Sequence, residues 1–171
     1  MTIISRKICL IGDFSVGKTS LVRRFVEGNF SDKYLTTVGV KISRKPVTID
    51  SNSQQVNLLV WDIEGNTKQK AIPANYLKGA TGAIIVGDLT RVNTLDSIKN
   101  HLQLFSDINP QGTVIVALNK QDLVTPEKLG KLQELHNYNS YQQVANTYLT
   151  SAKTGDCVNL MFEKMAVETT K

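Results

Sequence analysis

Cysteine and proline are scarce in this sequence, and each shortage excludes a class of protein. The 171 residues include 2 cysteines, Cys9 and Cys157, which form neither a CxxC pair nor a disulfide framework. We therefore expect two reduced thiols that bind no metal. With only 4 prolines and 11 glycines, the chain also lacks the composition of collagenous, low-complexity or disordered proteins.

Long hydrophobic runs are missing as well. The longest, such as 83–86 and 114–118, fall far short of the roughly 18 to 20 apolar residues that a membrane-spanning helix needs. Residues 1–10 contain an apolar patch of about four residues, whereas a secretory signal needs roughly 7 to 15. We therefore expect a cytoplasmic protein without a signal peptide or a transmembrane segment.

Basic residues exceed acidic ones, but the excess is confined to one part of the chain. The sequence has 20 Lys and Arg against 15 Asp and Glu, a formal net charge of +5. Residues 1–45 hold nine basic and three acidic residues, so the remainder is close to neutral. Such a region suits a small polyanion or an acidic partner as well as a nucleic acid. We expect the first two kinds of partner and no nucleic acid.

Strand patterns alternate with helix patterns along the chain. Residues 40–49 and 55–62 flank a turn composition and predict an antiparallel hairpin, whereas 83–88 and 113–119 are continuous apolar runs typical of buried parallel strands. Other strands are predicted at 7–12 and about 147–150, and helices at 18–27, 95–108, 125 to about 136, and about 158–167, with Thr94 a helix N-cap. The alternation predicts one α/β domain over residues 1–171, with a mostly parallel sheet.

Residues 12–19, GDFSVGKT, carry the strongest functional signal. They match the phosphate-binding loop G-x-x-x-x-G-K-[ST] and lie between a predicted buried strand and a helix, as that motif requires. Gly12 and Gly17 permit the backbone angles that turn N–H groups inward around a phosphate. Lys18 adds positive charge, the Thr19 hydroxyl can ligate magnesium, and the helix N-terminus faces the anion. The predicted phosphate contacts are Ser15, Val16, Gly17, Lys18, Thr19 and Ser20.

Residues 119–122, NKQD, are the predicted base reader. The Asp122 carboxylate can accept hydrogen bonds from guanine N1–H and the exocyclic amine, whereas adenine offers no such pair. Lys120 can lay its aliphatic stem over the base. A phosphate loop alone also leaves a small-molecule kinase open, but the sequence has no Arg-rich cluster of the kind that acceptor and lid sites use.

Five segments occur in the order and approximate spacing of the nucleotide motifs of Ras-superfamily GTPases. They are 12–19, Thr37 in TTVG, WDIEG at 61–65, NKQD at 119–122 and TSAK at 150–153. The chain resembles that superfamily over nearly its whole length, and GKTSLVRRFVEGNF, KYLTTVGV and NYLKGA resemble Rab sequence. The resemblance implies a P-loop NTPase fold, the G domain, with a mostly parallel six-stranded sheet, one antiparallel edge strand and helices on both faces. It implies a GTP/GDP-binding switch of vesicle trafficking that slowly hydrolyses GTP with Mg²⁺.

The resemblance also implies roles for individual residues. Guanine contacts would come from Phe30, Asn119, Lys120, Asp122, Ser151, Ala152 and Lys153. Tyr34 would lie over the phosphates, and the N–H groups of Thr37 and Gly65 would contact the γ-phosphate. Magnesium would be held by Thr19, Thr37 and Asp62, and the catalytic residues would be Lys18, Thr37 and Asn66. Effectors and regulators would bind the switch segments at about 31–40 and 65–78, and we expect a monomer.

Three positions depart from the family pattern. Asn66 stands where the family has the Gln that orients the attacking water, and Phe14 stands where it keeps a small residue. The final residues, AVETTK, contain no prenylation cysteine, so membrane association is expected only if a lipidated tail is missing. Asn66 and Phe14 leave open a nucleotide-dependent binding module with negligible hydrolysis. His101 and His136, far in sequence from the motifs, are expected to be surface or packing residues.

Overall fold

A computed structural model describes residues 2–33, 36–51 and 53–171, and these form alternating strands and helices. The strands are β1 (Ile3–Gly12), β2 (Val40–Ile49), β3 (Gln54–Ile63), β4 (Gly82–Asp88), β5 (Thr113–Asn119) and β6 (Val144–Leu149). The helices are α1 (Lys18–Glu27), α2 (Ala74–Leu77), α3 (Val92–Asp96), α4 (Ile98–Ile108), α5 (Pro126–Leu135) and α6 (Val158–Glu168). A 3₁₀ turn covers Gln121–Leu123. Within the described ranges, no helix is long and apolar enough to cross a membrane.

The strands form one six-stranded sheet in the order β2-β3-β1-β4-β5-β6. The edge strand β2 runs antiparallel to β3, and the other neighbours are parallel, as predicted. Gly12 pairs with Val86, and Asp88 pairs with Asn119, so β1, β4 and β5 end at the same edge. In parallel α/β sheets, ligands bind at the carboxyl ends of the strands, and the loops after these three strands meet there.

Apolar side chains cover both faces of the sheet, which explains why helices flank it on both sides. On one face, α1 and α6 pack together, and the rings of Phe25 and Phe162 stack with centroids 4.1 Å apart. On the other face, Leu95 of α3, Leu102 and Phe105 of α4 are buried against β4 and β5. Cys9 and Cys157 are both free, and burial raises the pKa of the Cys9 thiol to about 12.

The predicted helix over 95–108 is instead two helices, α3 and α4, that meet at Ser97. Thr94 is therefore not an N-cap, and that prediction was wrong. Its hydroxyl accepts a hydrogen bond from the Asp88 N–H at 2.9 Å and lies 2.7 Å from the Arg91 carbonyl oxygen. Thr94 thus ties the first turn of α3 to the end of β4. A Thr at a helix start has the same sequence signature in either role.

Candidate functional site

A cavity of about 300 Å³ opens at the edge where β1, β4 and β5 end. Most of the predicted site residues line it: Ser15, Gly17, Lys18, Thr19, Ser20, Phe30, Thr37, Gly65, Asn119, Lys120, Asp122, Ala152 and Lys153. Val16 and Ser151 are buried behind this wall. Among the described residues, Asp62 and Asn66 are not part of the lining, and Tyr34 lies outside the described residues. Sequence reasoning did not select two further lining residues, Ile63 and Leu123. Ser31, Asp32 and Lys33 of the predicted switch segment 31–40 also line the cavity, although they were not predicted as nucleotide contacts.

The two glycines of the phosphate loop are needed for different reasons. Gly17 caps the N-terminus of α1 with φ 102°, a conformation that favours glycine, and a Cβ there would collide with the Asn119 amide. Gly12 ends β1 with no left-handed φ, but a Cβ would lie 2.5 Å from the Val86 carbonyl oxygen. The predicted backbone freedom therefore applies to Gly17, whereas Gly12 permits close packing against β4.

Lys18 is buried at the bottom of the phosphate loop. Its Nζ donates hydrogen bonds to the carbonyl oxygens of Gly12 and Asp13, at 3.2 and 3.1 Å. Burial lowers the pKa of Lys18 to about 8, and the nearby carboxylates of Asp62 and Asp13 act in the opposite direction. A buried cation is costly unless it is paired with negative charge, so this ammonium favours an anion in the cavity.

Three oxygen-bearing side chains meet behind the phosphate loop. The Thr19 hydroxyl donates to Asp62 Oδ2 at 2.6 Å and lies 2.6 Å from the Thr37 hydroxyl. Among the described residues, the other Asp62 oxygen is buried without a hydrogen-bond partner. Burial raises the pKa of Asp62, and the hydrogen bond from Thr19 opposes that shift. Hydroxyl and carboxylate oxygens suit a hard cation such as Mg²⁺, and an unpaired carboxylate oxygen fits one further ligand bond.

The NKQD segment connects the loops after β5 and β6 to the phosphate loop. The Asn119 amide donates to the Val16 carbonyl at 3.0 Å, and Lys120 Nζ donates to the Ser15 carbonyl at 3.1 Å. Asp122 accepts a hydrogen bond from the Ser151 hydroxyl at 2.8 Å. These contacts join the NKQD segment to the phosphate loop and to Ser151 at the wall of the cavity.

Two residues that contact the loops of the cavity were not predicted from the sequence. Asp88, at the end of β4, forms an ion pair with Lys120 Nζ at 2.8 Å. Arg24 of α1 donates to the carbonyl oxygens of Ala152 at 2.8 Å and of Lys153. The location of Asp88 at the end of a parallel strand was a usable signal. The sequence contains no comparable signal for Arg24, because its partner Ala152 lies 128 residues away.

His101 was expected to be a surface or packing residue away from the motifs. It is buried, and its ring lies 2.8 Å from the carboxylate of Asp13 in the phosphate loop. His136 lies 3.4 Å from the Tyr138 hydroxyl, as a packing residue would.

We predict that Arg24→Ala accelerates release of a bound guanine nucleotide, because the Ala152 and Lys153 carbonyls lose their shared donor and the loop loosens. The expected increase is about five- to tenfold, which corresponds to one net hydrogen bond of about 1 to 1.4 kcal/mol. Displacement of a fluorescent GDP analogue measures it. Arg23→Ala is the matched control, because Arg23 on the same helix contacts Glu27 and Asn29 instead. Equal release rates for both variants would contradict the role of Arg24.

A glycine-containing loop between a parallel strand and a helix, with a buried lysine and a strand-end polar segment beside it, defines a P-loop nucleotide-binding protein. The family model described as "Ras family" matches residues 7–171. The chain belongs to the Ras family.

Curated relatives agree with that membership. The GTP-binding protein ypt5 of Schizosaccharomyces pombe is 35% identical over 166 residues, which cover 95% of this chain and 77% of the relative. Ras-related protein Rab-13 of Bos taurus is 32% identical over 166 residues, which cover 94% of this chain and 77% of the relative. Ras-related protein SEC4 of Saccharomyces cerevisiae is 37% identical over 120 residues, which cover 70% of this chain and 55% of the relative. These similarities confirm the predicted Rab-like, guanine-nucleotide-binding GTPase and its G-domain fold.

Proposed function

We propose that this chain is a Rab-like switch in which GTP or GDP occupies the cavity with Mg²⁺, and in which the segments 31–40 and 65–78 respond to the γ-phosphate. The observation that carries the proposal is the convergence of the phosphate loop, Thr37, Gly65, the NKQD segment and Ala152 on one cavity of about 300 Å³. Fold membership alone would leave the site open, because function depends on the residues that a fold presents.

Each part of the cavity has a distinct task in this proposal. The main chain of Ser15 to Ser20 and the Lys18 ammonium bind phosphates, using the positive end of α1. Asp122 and the Ala152 N–H read guanine, while Phe30 and Lys120 flank the base. Lys18 and the Thr37 N–H stabilise charge that develops on the γ-phosphate during hydrolysis. The Gly65 N–H reports the presence of that phosphate to the 65–78 segment.

Thr19, Thr37 and Asp62 are the proposed magnesium ligands, with Asp62 acting through a water. Bound there, Mg²⁺ would neutralise part of the phosphate charge. The support comes from the donor set, which is oxygen-only, and from the buried Asp62 oxygen that lacks a hydrogen-bond partner among the described residues. Across the described ranges, no three His, Cys, Asp or Glu side chains cluster, so this hydroxyl-rich set is the candidate site.

We predict that Thr19→Val accelerates GDP release at least about tenfold in the presence of magnesium, since the isosteric side chain lacks the ligand oxygen and loss of one such contact costs about 1.4 kcal/mol or more. Thr19→Ser keeps the hydroxyl and is the matched control. Chelation of magnesium should accelerate release from the unmodified protein and have little effect on Thr19→Val. A chelator effect of equal size in both proteins would exclude Thr19 as a ligand.

Glu64 bridges the two switch segments, which supports a concerted response. Glu64 accepts a hydrogen bond from the Gly39 N–H at 3.1 Å and forms an ion pair with Lys70 at 2.8 Å. The Glu64 N–H in turn donates to the Gly39 carbonyl at 2.8 Å. A ligand that moves Thr37 or Gly65 therefore acts on both segments, and γ-phosphate contacts select one arrangement of such switches. Effectors and regulators would read that arrangement.

A monomer that acts in the cytoplasm and associates peripherally with a membrane surface is part of the proposal. The switch itself is tested by the fluorescence emission of Trp61, the single tryptophan of the sequence. Trp61 pairs with Ile42 in the sheet, near both switch segments. We expect different Trp61 spectra with GDP and with a non-hydrolysable GTP analogue. Identical spectra, together with identical protease cleavage of 65–78, would contradict a nucleotide-dependent switch.

A further inference from the structure

A histidine from α4 reaches the phosphate loop. His101 is 5% exposed, and its Nε2 lies 2.8 Å from Asp13 Oδ1. The two residues are 88 positions apart in the sequence, and both side chains are largely buried. An ionised carboxylate can only accept hydrogen bonds, so the Nε2–H donates to Asp13.

Asp13 is an anion inside a loop that binds anions. Its main-chain oxygen accepts a hydrogen bond from Lys18 Nζ at 3.1 Å, and its carboxylate acts on the same ammonium through space. A bound phosphate and the Asp13 carboxylate therefore repel each other and compete for the charge of Lys18. Such a carboxylate weakens phosphate binding unless a neighbouring group restrains it and offsets its charge.

The surroundings of His101 set how readily its ring takes up a proton. Burial lowers the pKa of His101, the Asp13 carboxylate raises it, and Lys18 on α1 lowers it further. The other elements packed on α4 contribute apolar side chains from the same core, among them Leu77 of α2 and Leu95 of α3. Among the described residues, Asp13 and Lys18 are the charged groups that affect the pKa of the ring.

We propose that His101 is a positioning residue of the phosphate site: it holds the Asp13 carboxylate against α4, and its proton offsets the charge of Asp13 when a nucleotide is bound. The sign of the pH dependence follows. Bound phosphates favour the imidazolium, so the pKa of His101 is higher in the complex than in the free protein. Nucleotide binding therefore takes up a proton, and affinity rises as the pH falls through the range between the two values.

The inference goes beyond guanine-nucleotide binding but depends on it, and release of a fluorescent GDP analogue tests both separately. Binding by the unmodified protein tests the phosphate site, whereas only differences among variants test the pair. His101→Phe should release GDP about tenfold faster, because the Asp13 carboxylate is then neither held nor offset. Adding Asp13→Asn to that variant should restore the rate found for Asp13→Asn alone, because the carboxylate that causes the loss is gone.

A second comparison uses pH and does not depend on the Phe variant folding. His101→Gln supplies an amide donor near the position of Nε2 but does not titrate. At pH 8 we expect this variant to release GDP at the unmodified rate, and between pH 8 and 6 only the unmodified protein should slow further. Equal pH profiles for both proteins would overturn the proposal. It would also be overturned if the double variant His101→Phe, Asp13→Asn released GDP as fast as His101→Phe alone. That result would mean that the His101 ring affects GDP release through its packing in the core and not through the Asp13 carboxylate.

Discussion

Asp122→Asn should convert the preference of this protein from guanine to xanthine nucleotides. In the proposed site the carboxylate accepts from guanine N1–H and the exocyclic amine, whereas the amide would present a donor that matches the oxygen of xanthine at the same place. An unmatched polar pair in a buried site costs ~1–3 kcal/mol, which corresponds to roughly 5- to 150-fold in affinity. The Ser151 hydroxyl, 2.8 Å from Asp122 Oδ1, can still donate to the amide oxygen and keep the side chain in place.

Calorimetric titration of GDP and xanthosine diphosphate into both proteins measures the change. Asp122→Ala is the control, because it should lose affinity for GDP and gain none for the xanthine nucleotide. A variant Asp122→Asn that weakens both nucleotides equally would mean that Asp122 supports the loop without reading the base.

Hydrolysis should be slow in the unmodified protein and faster after Asn66→Gln. The main chain of Asn66 is held by the phosphate loop: its N–H donates to the Gly12 carbonyl, and its carbonyl accepts from the Phe14 N–H, both at 3.0 Å. With the main chain fixed there, one more methylene gives the amide the longer reach of the Gln that the family has at this position. A water-orienting hydrogen bond of ~1–3 kcal/mol in the transition state corresponds to roughly 5- to 150-fold in rate.

Phe14 restricts the same side of the cavity. Its side chain is 41% exposed at the cavity wall, and its carbonyl oxygen accepts a hydrogen bond from Arg91 at 2.8 Å. Phe14→Gly removes a ring from the cavity wall, and its effect need not add to that of Asn66→Gln because the main chains of the two residues are hydrogen-bonded. Single-turnover GTP hydrolysis by the unmodified protein, the two single variants and the double variant measures both effects. Asn66→Ala is the control: if the Asn66 amide does not reach the water, removing it should leave the rate unchanged. If Asn66→Gln, alone and with Phe14→Gly, leaves the rate unchanged, water positioning does not limit hydrolysis here.

Local sequence patterns predicted the parts of the molecule that local physics determines. Lys18 to Glu27 is a helix at the predicted residues, because a glycine N-cap, an apolar stripe and a glycine C-cap specify it within one segment. Strands β4 and β5 are continuous apolar runs that only a sheet buried on both faces accommodates. By contrast, β1 begins at Ile3 rather than at residue 7, because its first residues pair with β3 and their exposed side chains leave no buried pattern.

In the candidate site, too, the short local motifs were predictable from the sequence and the tertiary contacts were not. The phosphate loop and NKQD could be identified from the sequence, because each is a short segment whose residue types match its chemistry. Arg24 and His101 could not, since each acts on a loop that is distant in the sequence and near only after folding. Asp88 also acts on a distant loop, through Lys120, but its location at the end of a parallel strand was a signal that the sequence contained. The departure at Asn66 was visible, but its main-chain attachment to Gly12 and Phe14 is a tertiary contact that no local pattern indicates.

Native mass spectrometry of the purified protein, incubated with equal concentrations of GDP and ADP and with magnesium, shows directly whether the site selects a guanine nucleotide. We expect a single bound GDP per chain, because in the proposed site Asp122 and the Ala152 N–H select guanine while Lys18 and the phosphate loop hold the diphosphate. Equal occupancy by ADP, or a protein that retains no nucleotide, would contradict a guanine-nucleotide switch.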